Sequence, residues 1–150
     1  TAVANHLKAD VFVAIHTGGS FVHSTTGTSI YYYQTVSGPD ATRDNAPSSA
    51  NKKHNMPILW ENIQHSHVAG SRVLAGMIDD RLQAITAVQS RIERAPLVVL
   101  QGAAMPAVFI EVGYLTNPAE EKNLRDPAFL MDLAEQIGLG VEDFITQTKK

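Results

Sequence analysis

Two short apolar runs constrain this chain more than any other feature. Residues 11–15 read VFVAI and residues 107–110 read AVFI, with no polar side chain in either. A strand with one wet face alternates apolar and polar residues, whereas a strand covered on both faces need not. Both runs therefore predict strands inside a sheet that carries helices on each side. Residues 29–34 (SIYYYQ) are β-branched and aromatic and predict another strand, and residues 97–100 (LVVL) predict a further one. A helix is expected over 59–85, with a break near Gly70. Its apolar face is set by Leu74, Met77, Ile78, Leu82 and Ile85 at helical spacing. Asn117-Pro118-Ala119-Glu120 has the form of a helix start, with Asn117 as cap, Pro118 in the first turn and Glu120 placed to complete a capping box. Asp126-Pro127 opens a last helix in the same way, with Leu130, Leu133, Ile137, Val141 and Phe144 as its buried stripe. Strands alternating with helices give an α/β fold with a mostly parallel twisted sheet and helices on both faces.

At 150 residues the chain suits one domain with a real core. Residues 37–57 hold Pro39, Pro47 and Pro57, lack periodicity and are expected to form a long mobile loop. No linker or repeat divides the chain. Its opening residues, TAVAN, read as the interior of a helix, so the expectation is a sheet incomplete at its N-terminus and a chain that is part of a longer domain. The formal net charge of -3 argues against broad attraction to nucleic acid or anionic lipid. No glycine-rich phosphate loop joins a strand to a helix. There is no cysteine, which excludes a disulfide framework and a thiolate zinc site. Any metal must be held by His, Asp or Glu. No apolar run approaches the length of a membrane span.

Each of the two apolar runs is followed at once by a residue able to do chemistry: His16 after the first, Glu111 after the second. Ligands of open α/β sheets bind outside the carboxyl ends of the strands. If these strands are parallel neighbours, an imidazole and a carboxylate meet at one rim, which suits a metal ligand beside a general base. The plainer alternative makes His16 a hydrogen-bonded loop residue and Glu111 the partner of a nearby Arg. Of the other histidines, His65 and His67 are two apart and cannot share a helix face. His23 and His54 fall in loops, and His6 on the first helix. Trp60 reads as a core anchor. Tyr31, Tyr32 and Tyr33 read as sheet packing, since only alternate residues share a face.

Four ordered blocks resemble the zinc-dependent N-acetylmuramoyl-L-alanine amidases, specifically the type 3 catalytic domain. Residues 9–16 (ADVFVAIH) are similar to the family's ADLFISIH segment. Residues 27–32 match its G-x-x-x-Y-Y strand. Trp60, Gln64, His67, Ser71, Leu74 and Ala75 match its W, Q, H, S-x-x-L-A helix pattern. Residues 99–118, ending in MPAVFIEVGYLTNP, resemble its VL-x-x-x-x-MPAVLVEVGFLSNP, and Glu120 and Glu121 follow as its acidic pair does. The resemblance implies the C-terminal portion of the catalytic domain. It implies His16 as a zinc ligand and Glu111 as the catalytic carboxylate. The activity it implies is hydrolysis of the amide between N-acetylmuramic acid and L-alanine in peptidoglycan, by a zinc-activated water.

It also implies a periplasmic or extracellular setting and leaves cell-wall or activator proteins open as partners. The family's first zinc His and its zinc Glu lie upstream of the matched segment. The portion described by this sequence is therefore expected to be inactive alone. Gly18 stands where the family often has Asn, and Gln101 where it often has Arg. Two other readings compete. One is a non-catalytic wall-binding or regulatory module that kept the fold, and the other is a zinc peptidase of related architecture.

Overall fold

A computed structural model describes residues 1–34, 60–85 and 88–149. The expectation for residues 37–57 lies outside the described residues. Helix α1 (Ala2–His6) leads into strand β1 (Phe12–Gly18), and β2 spans Thr28–Tyr33. A 3-10 helix (Trp60–His67) runs into α2 (Val68–Leu82). Then come β3 (Ser90–Ala95), the short α3 (Val98–Gln101), β4 (Ala107–Tyr114), α4 (Pro118–Leu124) and the long α5 (Pro127–Thr148). The four strands lie in the order β1-β4-β2-β3. β1 pairs with β4 and β2 with β3 in parallel, while β2 and β4 meet antiparallel. The sheet is thus mostly parallel. The run at 107–110 lies in interior β4 as expected, but the run at 11–15 feeds β1, an edge strand of the described sheet in which Ile15 is exposed, so it is not covered on both faces. No helix among the described residues is long and apolar enough to cross a membrane.

Period-two alternation divides the sheet into two faces. On one, Ile30 and Tyr32 of β2 and Val108, Ile110 and Val112 of β4 pack under α2 and α5. The helices contribute Leu74, Ile78, Leu133, Ile137 and Phe144, and Val11 and Val13 pack against the same cluster. The two helices approach closely because residue 140 is glycine: a Cβ there would lie 2.7 Å from the Ile78 Cα. Arg81 and Asp143 tie their exposed edges at 2.7 Å. On the other face, a smaller cluster gathers Tyr33, Leu100, Ala103, Met105 and Ala107, with Phe12 and Phe109 packed against it.

Two buried polar side chains fix where β4 begins. The fully buried Gln64 donates to the carbonyls of Ala103 (2.7 Å) and Met105 (2.9 Å). Ser71 donates to Gln64 Oε1 at 2.9 Å and accepts from the Ala107 amide at 2.9 Å. A buried amide or hydroxyl without partners would be costly, and here the partners are the backbone just ahead of β4. That is a structural use for the Gln64 and Ser71 of the helix pattern.

Four further expectations are corrected. Leu130, expected in the buried stripe of the last helix, is exposed. Residues 97–100 are not a strand. Leu97 alone is extended and caps α3, where Val98 is exposed and only Leu100 is buried. The strand in that region is the charged segment Ser90–Ala95. The helix expected over 59–85 is a 3-10 segment followed by α2, with the change at His67 rather than near Gly70. Glu120 forms no capping box. Asn117 does cap α4, accepting from the Ala119 and Glu120 amides, but its own amide is satisfied by the Tyr114 carbonyl at 3.0 Å. The Glu120 carboxylate instead accepts from the Gly27 amide (2.6 Å) and the Tyr114 amide (2.7 Å). Asp126 caps α5 as expected, through the Ala128 amide.

Candidate active site

His16 and Glu111 are direct partners in the register of β1 and β4, two parallel neighbours. Both strands run past them, to Gly18 and Tyr114, so neither residue ends its strand. Because they sit at matched positions of parallel strands, their side chains leave the sheet on the same side. This is the side of Phe12 and Phe109, opposite α2 and α5. The His16 imidazole is exposed and the Glu111 carboxylate half-buried. The imidazole stacks on the Phe109 ring, with centroids 4.6 Å apart and planes at 23°. Phe109 also meets Tyr31 of β2 at 6.1 Å and 60°.

The polar surface continues across β2 and β3. Ser29 is the register partner of both Glu111 and Arg91, and Tyr31 is the partner of both Phe109 and Glu93. The Tyr31 hydroxyl donates to Glu111 Oε2 at 3.4 Å. The Ser29 hydroxyl donates to Glu93 at 3.4 Å, and Arg91 Nε donates to the same Glu93 oxygen at 2.6 Å. Arg91 also donates to the Tyr114 hydroxyl at 3.1 Å and the Thr26 carbonyl at 3.3 Å. Burial pushes the Tyr31 phenol above its ordinary value. The neighbouring Ser29 hydroxyl opposes that shift, and the charges of Glu111 and Glu93 add to it. The bond to Glu93 raises the Arg91 guanidinium further.

The segment after β1 is tied down at the same rim. The Ser20 amide donates to Thr116 Oγ1 at 3.0 Å, and the Leu115 amide to the Gly18 carbonyl at 3.0 Å. Gly18 is buried against Tyr114, and a Cβ on it would lie 2.9 Å from that ring. An asparagine at position 18 would therefore require Tyr114 to move.

Sequence reasoning singled out His16 and Glu111, which the fold brings side by side. It assigned Tyr31 to packing and missed Arg91 and Glu93 altogether. The signal for these two was the alternation in SRIERA, obscured by four charged or polar residues out of six. The remaining histidines do not join the pair. His65 meets Tyr33 edge-on at 6.0 Å, His23 and His6 are exposed, and His54 lies outside the described residues. Among the described residues no three His, Asp or Glu side chains are grouped to hold a metal ion.

The family model described as N-acetylmuramoyl-L-alanine amidase matches residues 1–143. The chain belongs to that family. AmiC of Neisseria meningitidis serogroup B, an N-acetylmuramoyl-L-alanine amidase, is 30% identical over 152 residues, covering 92% of this chain and 36% of that protein. AmiA of Escherichia coli K12 is 28% identical over 153 residues, covering 93% and 53%. The catalytic domain of the amidase CwlV from Bacillus (Paenibacillus) polymyxa var. colistinus superposes with a TM-score of 0.69 at 26% identity. The match covers 97% of this chain and 63% of that domain. The chain of this amidase family member thus spans about a third to a half of the two curated relatives' length.

Proposed function

We propose that this chain is the C-terminal portion of a single zinc-dependent amidase catalytic domain that hydrolyses the bond between N-acetylmuramic acid and L-alanine in peptidoglycan. The substrate places the enzyme at the cell wall, in the periplasm or outside the cell. The observation that carries the proposal is the matched register of His16 and Glu111 on parallel strands, within a member of the amidase family.

A catalytic zinc normally takes three protein ligands and a water. His16 supplies one imidazole, and the described residues alone do not complete such a set. Zinc, when bound, would lower the pKa of a water and polarise the amide carbonyl. The remaining ligands would come from outside the described residues. In the proposed chemistry Glu111 acts as general base: a carboxylate oxygen takes the proton of the attacking water. The carbon–nitrogen bond then breaks, and the same carboxyl group returns the proton to the departing alanine amine, so the group ends as it began. The exposure of His16 beside the half-buried Glu111 leaves the pair open to a polymeric substrate.

The test is product analysis on purified muropeptides with the native full-length protein and its Glu111→Gln variant. The variant should keep its metal content and lose activity by a factor on the order of 10²–10⁴, the usual cost of removing a general base. Near-normal turnover would reject the role of Glu111. Zinc stoichiometry adds a second check. The 150-residue chain alone should bind zinc weakly and hydrolyse nothing, whereas a chain extended upstream should bind one zinc tightly. Tight one-to-one binding with full activity in the short chain would show that its ligands are complete.

A further inference from the structure

A general base must be held as well as placed, and Glu111 has one side-chain hydrogen-bond partner among the described residues: Tyr31, at 3.4 Å. The geometry points to Tyr31 as a positioning residue, whose phenol fixes the orientation of the Glu111 carboxylate through one oxygen and leaves the other free for the proton. This rests on the reading of Glu111 as the base.

The reach follows from the strand directions. β2 runs antiparallel to β4, so the residue directly opposite Glu111 is Ser29, and Tyr31 stands opposite Phe109. The Ser29 hydroxyl is turned to Glu93 on the other side and does not bond Glu111. Diagonal neighbours in an antiparallel pair lie about 7–8 Å apart, within reach of an aromatic side chain. Tyr31 is such a diagonal neighbour, and its hydroxyl arrives at Glu111 Oε2.

The phenol is also held in that direction. Its ring meets Phe109 at 60°, and the other side of the Phe109 neighbourhood is filled by the stacked His16 imidazole. Toward β3, the Glu93 carboxylate is already bound by Arg91 at 2.6 Å and by Ser29 at 3.4 Å. Glu93 therefore does not draw the Tyr31 hydroxyl away from Glu111. β2 is an interior strand paired along both edges, so the Tyr31 backbone is fixed from both sides. Burial and the two nearby negative charges keep the phenol protonated, so it remains a donor across the neutral range.

The test compares wild type, Tyr31→Phe and Glu111→Gln in the native full-length protein, with kcat and KM measured separately on purified muropeptides. Tyr31→Phe keeps the ring and its contact with Phe109, so the melting temperature should not change. Loss of a hydrogen bond to a charged group should lower kcat by about 10- to 100-fold with little change in KM. Wild-type kcat in Tyr31→Phe beside an inactive Glu111→Gln would overturn the positioning role and leave Glu111 as the base. A raised KM with unchanged kcat would also overturn it, because Tyr31 would then bind substrate rather than orient the carboxylate. An active Glu111→Gln would overturn both readings.

Discussion

The two faces of the sheet are made by the same strands and have opposite characters. On β4, Val108, Ile110 and Val112 are buried under α2 and α5. The residues between them, Phe109 and Glu111, face the other way and carry the stacked imidazole and the half-buried carboxylate. β2 repeats the pattern, with Ile30 and Tyr32 on the helical face and Ser29 and Tyr31 on the polar one. One face is closed by two helices and holds the fold together. The other is left open near the rim and arranges ionisable groups across four strands. A strand can serve both because its side chains alternate, so stability and chemistry are separated by a single step along the chain.

That separation can be broken most forcefully on β4. Ile110 is fully buried, and Ile110→Ala should cost about 2–5 kcal/mol, read as a lower denaturant midpoint, while leaving turnover per folded molecule intact. Glu111→Gln, one residue on, should do the reverse. If both variants lost stability and activity together, the division of labour would be wrong.

The helical face can be sharpened with two glycines of α5. Gly140→Ala places a Cβ 2.7 Å from the Ile78 Cα and should destabilise by about 1–3 kcal/mol. Gly138→Ala meets nothing within 4 Å and should stabilise by roughly 0.5–1 kcal/mol, as alanine does in a helix interior. Chemical denaturation of both variants gives the signs directly, and equal signs would refute the packing account. Smaller again is Asn117→Ala, which removes the α4 cap and should cost about 1 kcal/mol by the same measurement.

The smallest effect on stability belongs to the phenol of Tyr31. The folded-state pKa of Tyr31 lies above its ordinary 10.0, chiefly through burial. The unfolded chain therefore ionises this phenol first as pH rises. Ionisation of this phenol leaves stability untouched below about pH 10 and lowers it in the wild type, not in Tyr31→Phe, as pH rises through the higher folded value. Absorbance titration of wild type against Tyr31→Phe should show the difference phenol ionising late. An ordinary titration would mean that Tyr31 is not buried against the carboxylates.

Much of the helical face could be read from the sequence because burial writes itself as periodicity. Ala107, Val108 and Ile110 of the run at 107–110, and the Leu133, Ile137 and Phe144 part of the last helix stripe, are buried as read, whereas Leu130 of that stripe and Ile15 of the run at 11–15 are exposed. The pairing of His16 with Glu111 was legible only as a condition, since nothing local says which strands are neighbours. β3 was not legible. It is an edge strand with Arg91 and Arg94 exposed, and its charges serve partners on β2 and β4 that are far away in sequence. The LVVL run misled for the opposite reason. Four apolar residues between Pro96 and Gly102 fit a strand or a helical turn equally well, and only tertiary packing on Leu100 decides. Glu120 met the spacing rule of a capping box and still made other bonds, because the Tyr114 carbonyl had already taken the amide it would have used.

Glu120 has a consequence for anyone who would rebuild this protein. Its two oxygens hold the amide of Gly27 and that of Tyr114, beside two glycines with positive φ, Gly27 at 98° and Gly113 at 129°. Asn117 adds a bond to the Thr25 carbonyl, and Thr116 one to the Ser20 amide. The segment after β1 and the turn after β4 are therefore a single transplantable cassette. A loop exchange between relatives that moves residues 19–27 without residues 113–120 would deliver a loop cut off from its own anchor points.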